Sequence, residues 1–537
     1  SQFQDKRSFE YKFLFPSQEY KLKKGDGVII ANNNDPDRDD SAGTIKELDQ
    51  VNRSVVLRKG ISKEKKQLPR TLSIGKKLMQ HSLYDKLNKN IYDFCENILE
   101  NKKGYDALKC FLNRDIPNIK DLKSGDKIIK SENFIEEIPD IISRLNSSCI
   151  FLQGPPGTGK TFHSSNAIVE LLKKNKKIAV TANSHKVIHN LLERVENIAT
   201  KQDFNFKGLK KGNPNDGDSF YDGKLIKTES NEKKYIDGLK DNKILLYSGT
   251  KFHLSSWYYR SKIDYLFIDE ASQFSLADLI ALGGITKNIV LVGDQLQLGQ
   301  PTQGNHPNLS GNSVLDYLLE GKDTVPANMG IFLTRTYRMH PNINVFISEN
   351  FYENKLLTDI SAESRKVNYP KNFFINNDGI HTILMDHTDC SQTSEAEFKK
   401  IDEIIKKLLG QKFIDSDKTE RPLTISDFLI ISPYNAQVNF LLERLPNGAR
   451  CGTIDRFQGQ EAPITIISMT SSDMENLPRD KSFFFNRNRL NVAVSRGQCS
   501  SIVLLNPQLL EAPPKTLEEF KMINNFNKLL KYKTKLN

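Results

Sequence analysis

The stretch Gly154-Pro155-Pro156-Gly157-Thr158-Gly159-Lys160-Thr161 fits the spacing G-x-x-x-x-G-K-[ST] at every fixed position. It follows Cys149-Ile150-Phe151-Leu152, a short, continuously apolar run that predicts a buried parallel strand. It precedes Ile168, Val169, Leu171 and Leu172, which fall at helical spacing. A glycine-rich turn between strand and helix lets backbone N–H groups close around an anion without Cβ clashes. The new helix aims its free N–H groups and positive dipole end at the same point. In that setting Lys160 reaches the β- and γ-phosphates of a nucleotide and Thr161 ligates Mg²⁺.

One hydrophobic core does not extend over 537 residues, so three or four domains are expected. Residues 1–72 carry short strand patterns at Lys12–Phe15, Gly27–Ala31, Gly43–Leu48 and Ser54–Lys59, separated by turns rich in Asn, Asp and Gly. They predict a small β-barrel accessory domain. The acidic run Asp35-Pro36-Asp37-Arg38-Asp39-Asp40 lacks the glycine and distal glutamate of an EF-hand loop and reads as a solvated turn. Over 73–115, Leu78, Leu83, Leu87, Ile91, Phe94, Ile98 and Leu99 share one helical face and predict a stalk.

Residues 116–325 then alternate strand and helix, as a parallel sheet requires. Further strands are expected at Ile178–Ala182, Ile244–Ser248, Tyr265–Ile268 and Ile289–Val292. Residues 200–243, with Lys207-Gly208-Leu209-Lys210-Lys211, read as a mobile polar surface insertion. Trp257-Tyr258-Tyr259 stands just before a buried strand and reads as core. A second α/β block, 326–537, has expected strands at Ile331–Thr334, His381–Met385, Phe428–Ser432, Ile464–Met469 and Ile502–Leu505. A capping box at Ser394-Glu395-Ala396-Glu397 opens one of its helices. It has no phosphate loop of its own, so a nucleotide is expected in the cleft between the two blocks.

The net charge of +11 favours a polyanionic partner, though acids and bases are both abundant. Six scattered cysteines, with no C-x-x-C pair, argue against structural zinc and a disulfide framework and suit a reducing compartment. No run is apolar enough for a membrane span and no signal peptide opens the chain, so an intracellular location is expected, cytoplasmic or with nucleic acid in a nucleoid or nucleus. The start at Ser1, without methionine, suggests a piece of something longer.

Leu266-Phe267-Ile268-Asp269-Glu270-Ala271 is an apolar strand ending in two carboxylates. There Asp269 can hold Mg²⁺ while Glu270 orients and deprotonates the attacking water. Next along the chain, Gly293-Asp294-Gln295-Leu296-Gln297-Leu298 offers an amide that can sense the γ-phosphate. The second block supplies the segments Arg335-Thr336-Tyr337-Arg338-Met339-His340-Pro341, Thr453 to Glu461 and Arg489 to Arg496. Arginines that arrive across a cleft neutralise charge developing on a transferring phosphoryl group, and Arg338 and Arg496 are the candidates.

Taken together, GPPGTGKT, DEAS, GDQLQL, TYRMHP, TIDRFQGQE and RLNVAVSR resemble the motifs of superfamily 1 helicases. The branch is the one containing the nonsense-mediated-decay RNA helicase and its DNA-acting relatives. The resemblance covers about residues 120 to 507, and the amino-terminal barrel and stalk are also similar to that branch. It implies two tandem RecA-like P-loop domains, an α/β fold, and use of ATP with Mg²⁺. Residues 154–161, Asp269, Glu270, Gln297, Arg338, Gly459, Glu461 and Arg496 would form the ATP site, and Tyr337 would stack on adenine. Thr181, Ser184, His185 and Thr250 of the first block, with Pro433, Tyr434 and Thr453 of the second, would line a single-strand track.

What the resemblance implies is an ATP-driven helicase or translocase moving 5′-to-3′ on single-stranded DNA or RNA, DNA favoured, and opening duplexes at junctions as a monomer. Two other readings stand beside it. One is a nucleic-acid-stimulated ATPase that clamps or remodels without processive unwinding. The other is the motor part of a larger nuclease–helicase, a fused or associated nuclease being its partner. The adenine-reading glutamine motif usual in the family is absent from the 30 or so residues before Gly154, so strict preference for ATP over other nucleoside triphosphates is left open.

Overall fold

The computed structural model describes residues 2–5, 8–15, 22, 24–25, 27–30, 41–49, 53–60, 74–76, 81–214, 216–300, 306–472, 484–511, 514 and 516–534. The acidic run 35–40, Ala31 and Leu78 lie outside them. The chain divides into two compact units, Ser1–Tyr84 and Asp85–Asn537.

In the first unit, six strands form one antiparallel sheet in the order Gln2–Asp5, Ser8–Leu14, Ser54–Gly60, Ser41–Asp49, Gly27–Ile30, Ile74–Lys76. Val28, Ala42, Ile45, Val55 and Leu57 make its small core. The sheet runs past residue 72, because Ile74–Lys76 pairs with Gly27–Ile30. A helix, His81–Leu99, follows. Its residues Leu87 and Phe94, one heptad apart, are buried, while Ile98 and Leu99 at its end are exposed.

The second unit carries two large parallel sheets, besides a two-stranded parallel pair, Arg335–Thr336 with Leu357–Thr358, and a small antiparallel sheet. The first has eight strands in the order 226–229, 208–211, 246–248, 178–181, 263–268, 286–293, 149–153, 330–332. The strand Cys149–Gln153 is buried throughout. Its side chains alternate, Ile150 and Leu152 entering the core on one face, Cys149 and Phe151 that on the other. That period of two on two covered faces is why the run carries no polar alternation. The second sheet has five strands in the order 379–384, 497–505, 462–468, 428–431, 450–452 and is built alike, Phe428 and Ile430 facing one core, Leu429 and Ile431 the other.

Four expectations change. Residues 200–243 are not merely a surface insertion. Gly208–Lys211 and Ile226–Glu229 extend the main sheet: Gly208–Lys211 pairs in parallel with Leu246–Ser248, and Ile226–Glu229 pairs in parallel with Gly208–Lys211 at the edge. Lys210 lies inside, its ammonium donating to the carbonyl of Ser219. The strand expected at 331–334 is Gly330–Phe332, and it pairs with the loop strand, closing the first sheet rather than opening the second. In the aromatic triplet Tyr258 and Tyr259 are buried, but Trp257 is 76% exposed. At 394–397 half a capping box forms: Ser394 accepts from the Glu397 N–H, while the buried Glu397 carboxylate accepts from Thr470 N and Ser468 instead. No described helix is long and apolar enough to cross a membrane.

Candidate functional site

Residues 154–159 leave the loop strand and turn into the helix Lys160–Lys173. Gly157 and Gly159 have φ of +76° and +78°, a region that costs an L side chain energy. At Gly154, a Cβ would fall within 2.0 Å of the Lys160 side chain. That lysine folds over the loop and donates to the Gly154 carbonyl, 2.9 Å away.

The segment after the first sheet docks on this loop. Thr336 Oγ1 donates to the Pro156 carbonyl at 2.9 Å, and Tyr337 N–H donates to the Gly157 carbonyl at 2.9 Å. A Cβ on Gly157 would stand 2.4 Å from Arg338 Cβ, so this glycine is required by the close approach. Tyr337 is about half exposed and Arg338 is placed beside the loop.

Asp269 and Glu270 follow the strand Ile263–Ile268, whose neighbours are the strands ending at Thr181 and Gly293. Asp269 is buried, and Glu270 takes a left-handed φ of +50° while its N–H donates to Asp269 Oδ1 at 2.9 Å. Burial, with the Glu270 charge beside it, pushes the Asp269 carboxyl well above the usual carboxylate range. Asp294 is also buried and raised for the same first reason, the Lys160 charge pulling the other way. It accepts from Gln297 Nε2 at 2.8 Å.

From the second sheet come Glu461 and Arg496. Arg338 Nε donates to Glu461 Oε2, and Gln498 Nε2 donates to the other carboxylate oxygen at 2.8 Å. Burial opposes ionisation of Glu461, but the charge and hydrogen bond of Arg338, with the Gln498 hydrogen bond and the Arg365 charge, together hold the carboxyl below its usual range. Arg496 is 3% exposed; its Nη1 donates to the Gln460 carbonyl at 3.1 Å and its Nε has no partner. Burial and the nearby Arg338 charge lower its pKa to about 9, against the pull of Glu270 and Glu461. An under-partnered buried guanidinium beside a phosphate-type loop fits an anion arriving from outside the chain. Gly459, with φ of +76°, is exposed in open space before this pair.

Most of the expected strand-contacting residues sit at the carboxyl edges of the two sheets. Thr181 ends its strand, buried with an unpartnered hydroxyl, and Ser184 caps the helix His185–Lys201 by accepting from Val187 N–H at 3.3 Å. His185 is half-buried, its pKa lowered by burial and by the Lys210 charge. Thr250 stands beyond the strand Leu246–Ser248 and precedes a short helix without making a side-chain cap bond. Pro433 and Thr453 follow the adjacent parallel strands Phe428–Ile431 and Arg450–Gly452. Tyr434 is the exception: only 1% exposed, it packs in the second block's core near Phe484, so its ring is not a stacking platform.

Sequence patterns gave no sign of Arg365, which is 9% exposed and donates to the carbonyls of Tyr337 and Arg338 at 2.7 and 2.8 Å. It fixes the segment that carries both candidate residues.

A family described as an AAA domain matches residues 139–302, and a second family of the same description matches 311–508. From fission yeast, the DNA replication ATP-dependent helicase/nuclease dna2 is 28% identical over 374 residues, 65% of this chain and 26% of the relative. The ATP-dependent helicase upf1 of the same yeast is 26% identical over 467 residues, 76% of this chain and 48% of that one. These matches span both sheets and the ordered motifs between them. The chain resembles the superfamily 1 helicases.

A third relative in this superfamily, the DNA polymerase alpha-associated DNA helicase A of fission yeast, is 24% identical over 409 residues, 64% of the chain and 59% of the relative. The chain thus spans between about a quarter and three-fifths of the length of these relatives.

Proposed function

We propose that this chain is an ATP-driven motor that moves 5′-to-3′ on single-stranded nucleic acid, DNA being the favoured track, and separates duplexes ahead of it. In this reading the two parallel-sheet blocks are RecA-like domains, about 116–325 and 326–537, and the amino-terminal sheet and the helix after it are the barrel and stalk. The observation that carries the reading is the docking of 336–338 on the phosphate loop, with Arg338 tied to Glu461 beyond it. One nucleotide site is thereby assembled from both blocks, as a motor that alternates its grip requires.

In the proposed site Lys160 and the loop N–H groups bind phosphate, and Thr161 and Asp269 hold Mg²⁺, which would neutralise phosphate charge. Glu270 takes the proton of the attacking water, Gln297 senses the γ-phosphate, and Arg338 and Arg496 face the developing charge. Tyr337 offers its half-exposed ring to the base. Gly459 gives room for the approach. Thr181, Ser184, His185, Thr250, Pro433 and Thr453 contact the backbone of the strand, and Tyr434 contributes its main chain rather than its ring.

Steady-state ATP hydrolysis, titrated separately with single-stranded DNA and RNA of matched sequence at fixed salt, tests the reading. A rise with one polymer, together with strand displacement, is expected. A rate indifferent to both defeats the motor.

A further inference from the structure

Between the γ-phosphate sensor and the helix that leads to Arg496 runs a chain of four polar side chains, three of them buried. Gln297 Nε2 and Tyr352 Oη both donate to Asp294 Oδ2, at 2.8 and 2.7 Å. Asn491 Nδ2 donates to the Tyr352 hydroxyl at 2.8 Å and to the Leu296 carbonyl at 2.8 Å. Tyr352 and Asn491 are fully buried and Asp294 is 1% exposed, so water does not compete for the bonds among them, while Gln297 at the outer end is only part-buried.

The two ends belong to different blocks. Asp294 and Gln297 follow the strand Thr286–Gly293 of the first sheet. Tyr352 ends the helix Pro341–Phe351, and Asn491 lies in the helix Arg487–Val494. That second helix is held twice more against the first block. Asn488 Nδ2 donates to the Gln295 carbonyl at 2.8 Å, and Arg487 makes a bidentate pair with Asp323 at 2.7 Å on both arms. Arg496 follows two residues after its end.

Lys160 ties this chain to the nucleotide loop. Its ammonium rests on the carbonyl of Gly154, whose N–H donates to the carbonyl of Gly293, the residue before Asp294, at 3.0 Å, and its charge draws on Asp294. A phosphate that draws Lys160 away changes the charge that Asp294 meets. The hydrogen-bond donors to Asp294 are Gln297, Tyr352 and the Leu296 N–H, at 2.8, 2.7 and 3.3 Å.

We infer that Tyr352 and Asn491 are positioning residues of the nucleotide site, coupling the state of the phosphate loop to the helix that carries Arg496. The inference rests on the nucleotide reading of the loop. It is a statement about one discrete hydrogen-bonded element that both ends bias, which is what coupling requires.

Hydrogen exchange of the whole chain, with and without Mg²⁺ and a non-hydrolysable ATP analogue, tests it. The unmodified protein is expected to gain protection at 154–161 and at 487–494. Tyr352→Phe is expected to keep the first and lose about tenfold of the second, a factor equal to ~1.4 kcal/mol of coupling. Undiminished protection at 487–494 in Tyr352→Phe overturns the inference. No protection at 154–161 in the unmodified protein defeats the nucleotide reading, and the coupling with it.

A double-mutant cycle on kcat keeps the test independent of any single fold defect. Tyr352→Phe and Asn491→Ala, each with Gln297→Ala, are expected to lower kcat with KM for ATP little changed. Each double variant should be no slower than the worse single one. Additive losses would mean that the side chains act separately and would end the proposal.

Discussion

Arg338 of the segment that docks on the phosphate loop pairs with Glu461 of the second block, and the same carboxylate accepts from Gln498. Arg496 stands close enough to feel the charges of both Arg338 and Glu461. Glu461 therefore separates two guanidiniums that would otherwise meet unshielded. Glu461→Gln is expected to cost about 1 kcal/mol, modest because the carboxylate side chain is 39% exposed. It should also slow hydrolysis, since Arg338 loses its anchor. Arg338 Nη1 also donates to the Ser495 carbonyl at 3.3 Å; urea denaturation and steady-state kinetics check the two effects, and an unchanged rate would mean that this bond is enough to position Arg338.

Gly157 is where the second block comes closest to the loop. An added Cβ meets Arg338 Cβ and Thr336 Oγ1 at 2.4 and 2.6 Å, and the backbone is left-handed as well. Gly157→Ala should lose about 1 to 2 kcal/mol from the backbone alone. It should also raise KM for ATP about tenfold or more by pushing 336–338 off the loop. Normal KM with only a stability loss would show that the docking can shift without harm to binding.

Arg496 carries a charge its surroundings do not fully satisfy: an unpartnered Nε, a single carbonyl on Nη1 and a pKa lowered by burial. Such groups are retained for what they do when the substrate arrives. Arg496→Ala is expected to leave thermal stability unchanged or higher and strand binding intact. Turnover should fall on the order of a thousandfold, the low end for a lost arginine finger. A clear drop in melting temperature would reverse the argument and make the arginine structural.

How much of this was legible in the sequence depended on how local the cause was. The loop, its strand and the Asp269-Glu270 pair follow from glycine spacing and a short apolar run, all within reach of neighbouring residues. Lys207, Lys210 and Lys211 misled because charge reads as surface, whereas Lys210 is buried under Ser219 and its strand adds to the sheet. Residues 330–332 misled for another reason: chain order does not show which strand a parallel strand will pair with. Tyr434 follows a strand as a surface residue would, but its ring turns into the core against Phe484. Tyr352 and Arg365 left no trace, and Asn491 stood in a motif read only for its arginine, since their roles exist only once distant segments have met.

Asp269 and Glu270 differ in what a proton does to them, and this separates their roles. The Asp269 carboxyl is raised, so the folded chain binds its proton more tightly than the unfolded one. Its folding contribution is favourable below the ordinary carboxylate range and is lost as pH rises through the raised native value. Mg²⁺ competes with that same proton, so the Mg²⁺ concentration for half-maximal hydrolysis should fall as pH rises toward and past neutrality. In Asp269→Asn the dependence should disappear with most of the Mg²⁺ affinity. Glu270→Gln keeps the backbone N–H that donates to Asp269 and removes only the base. It should bind ATP and Mg²⁺ normally yet stop turnover, where Lys160→Ala should impair binding itself. Filter binding of labelled ATP alongside product release distinguishes the three. Full hydrolysis by Glu270→Gln would remove Glu270 as the base and leave the attacking water to be activated by other groups.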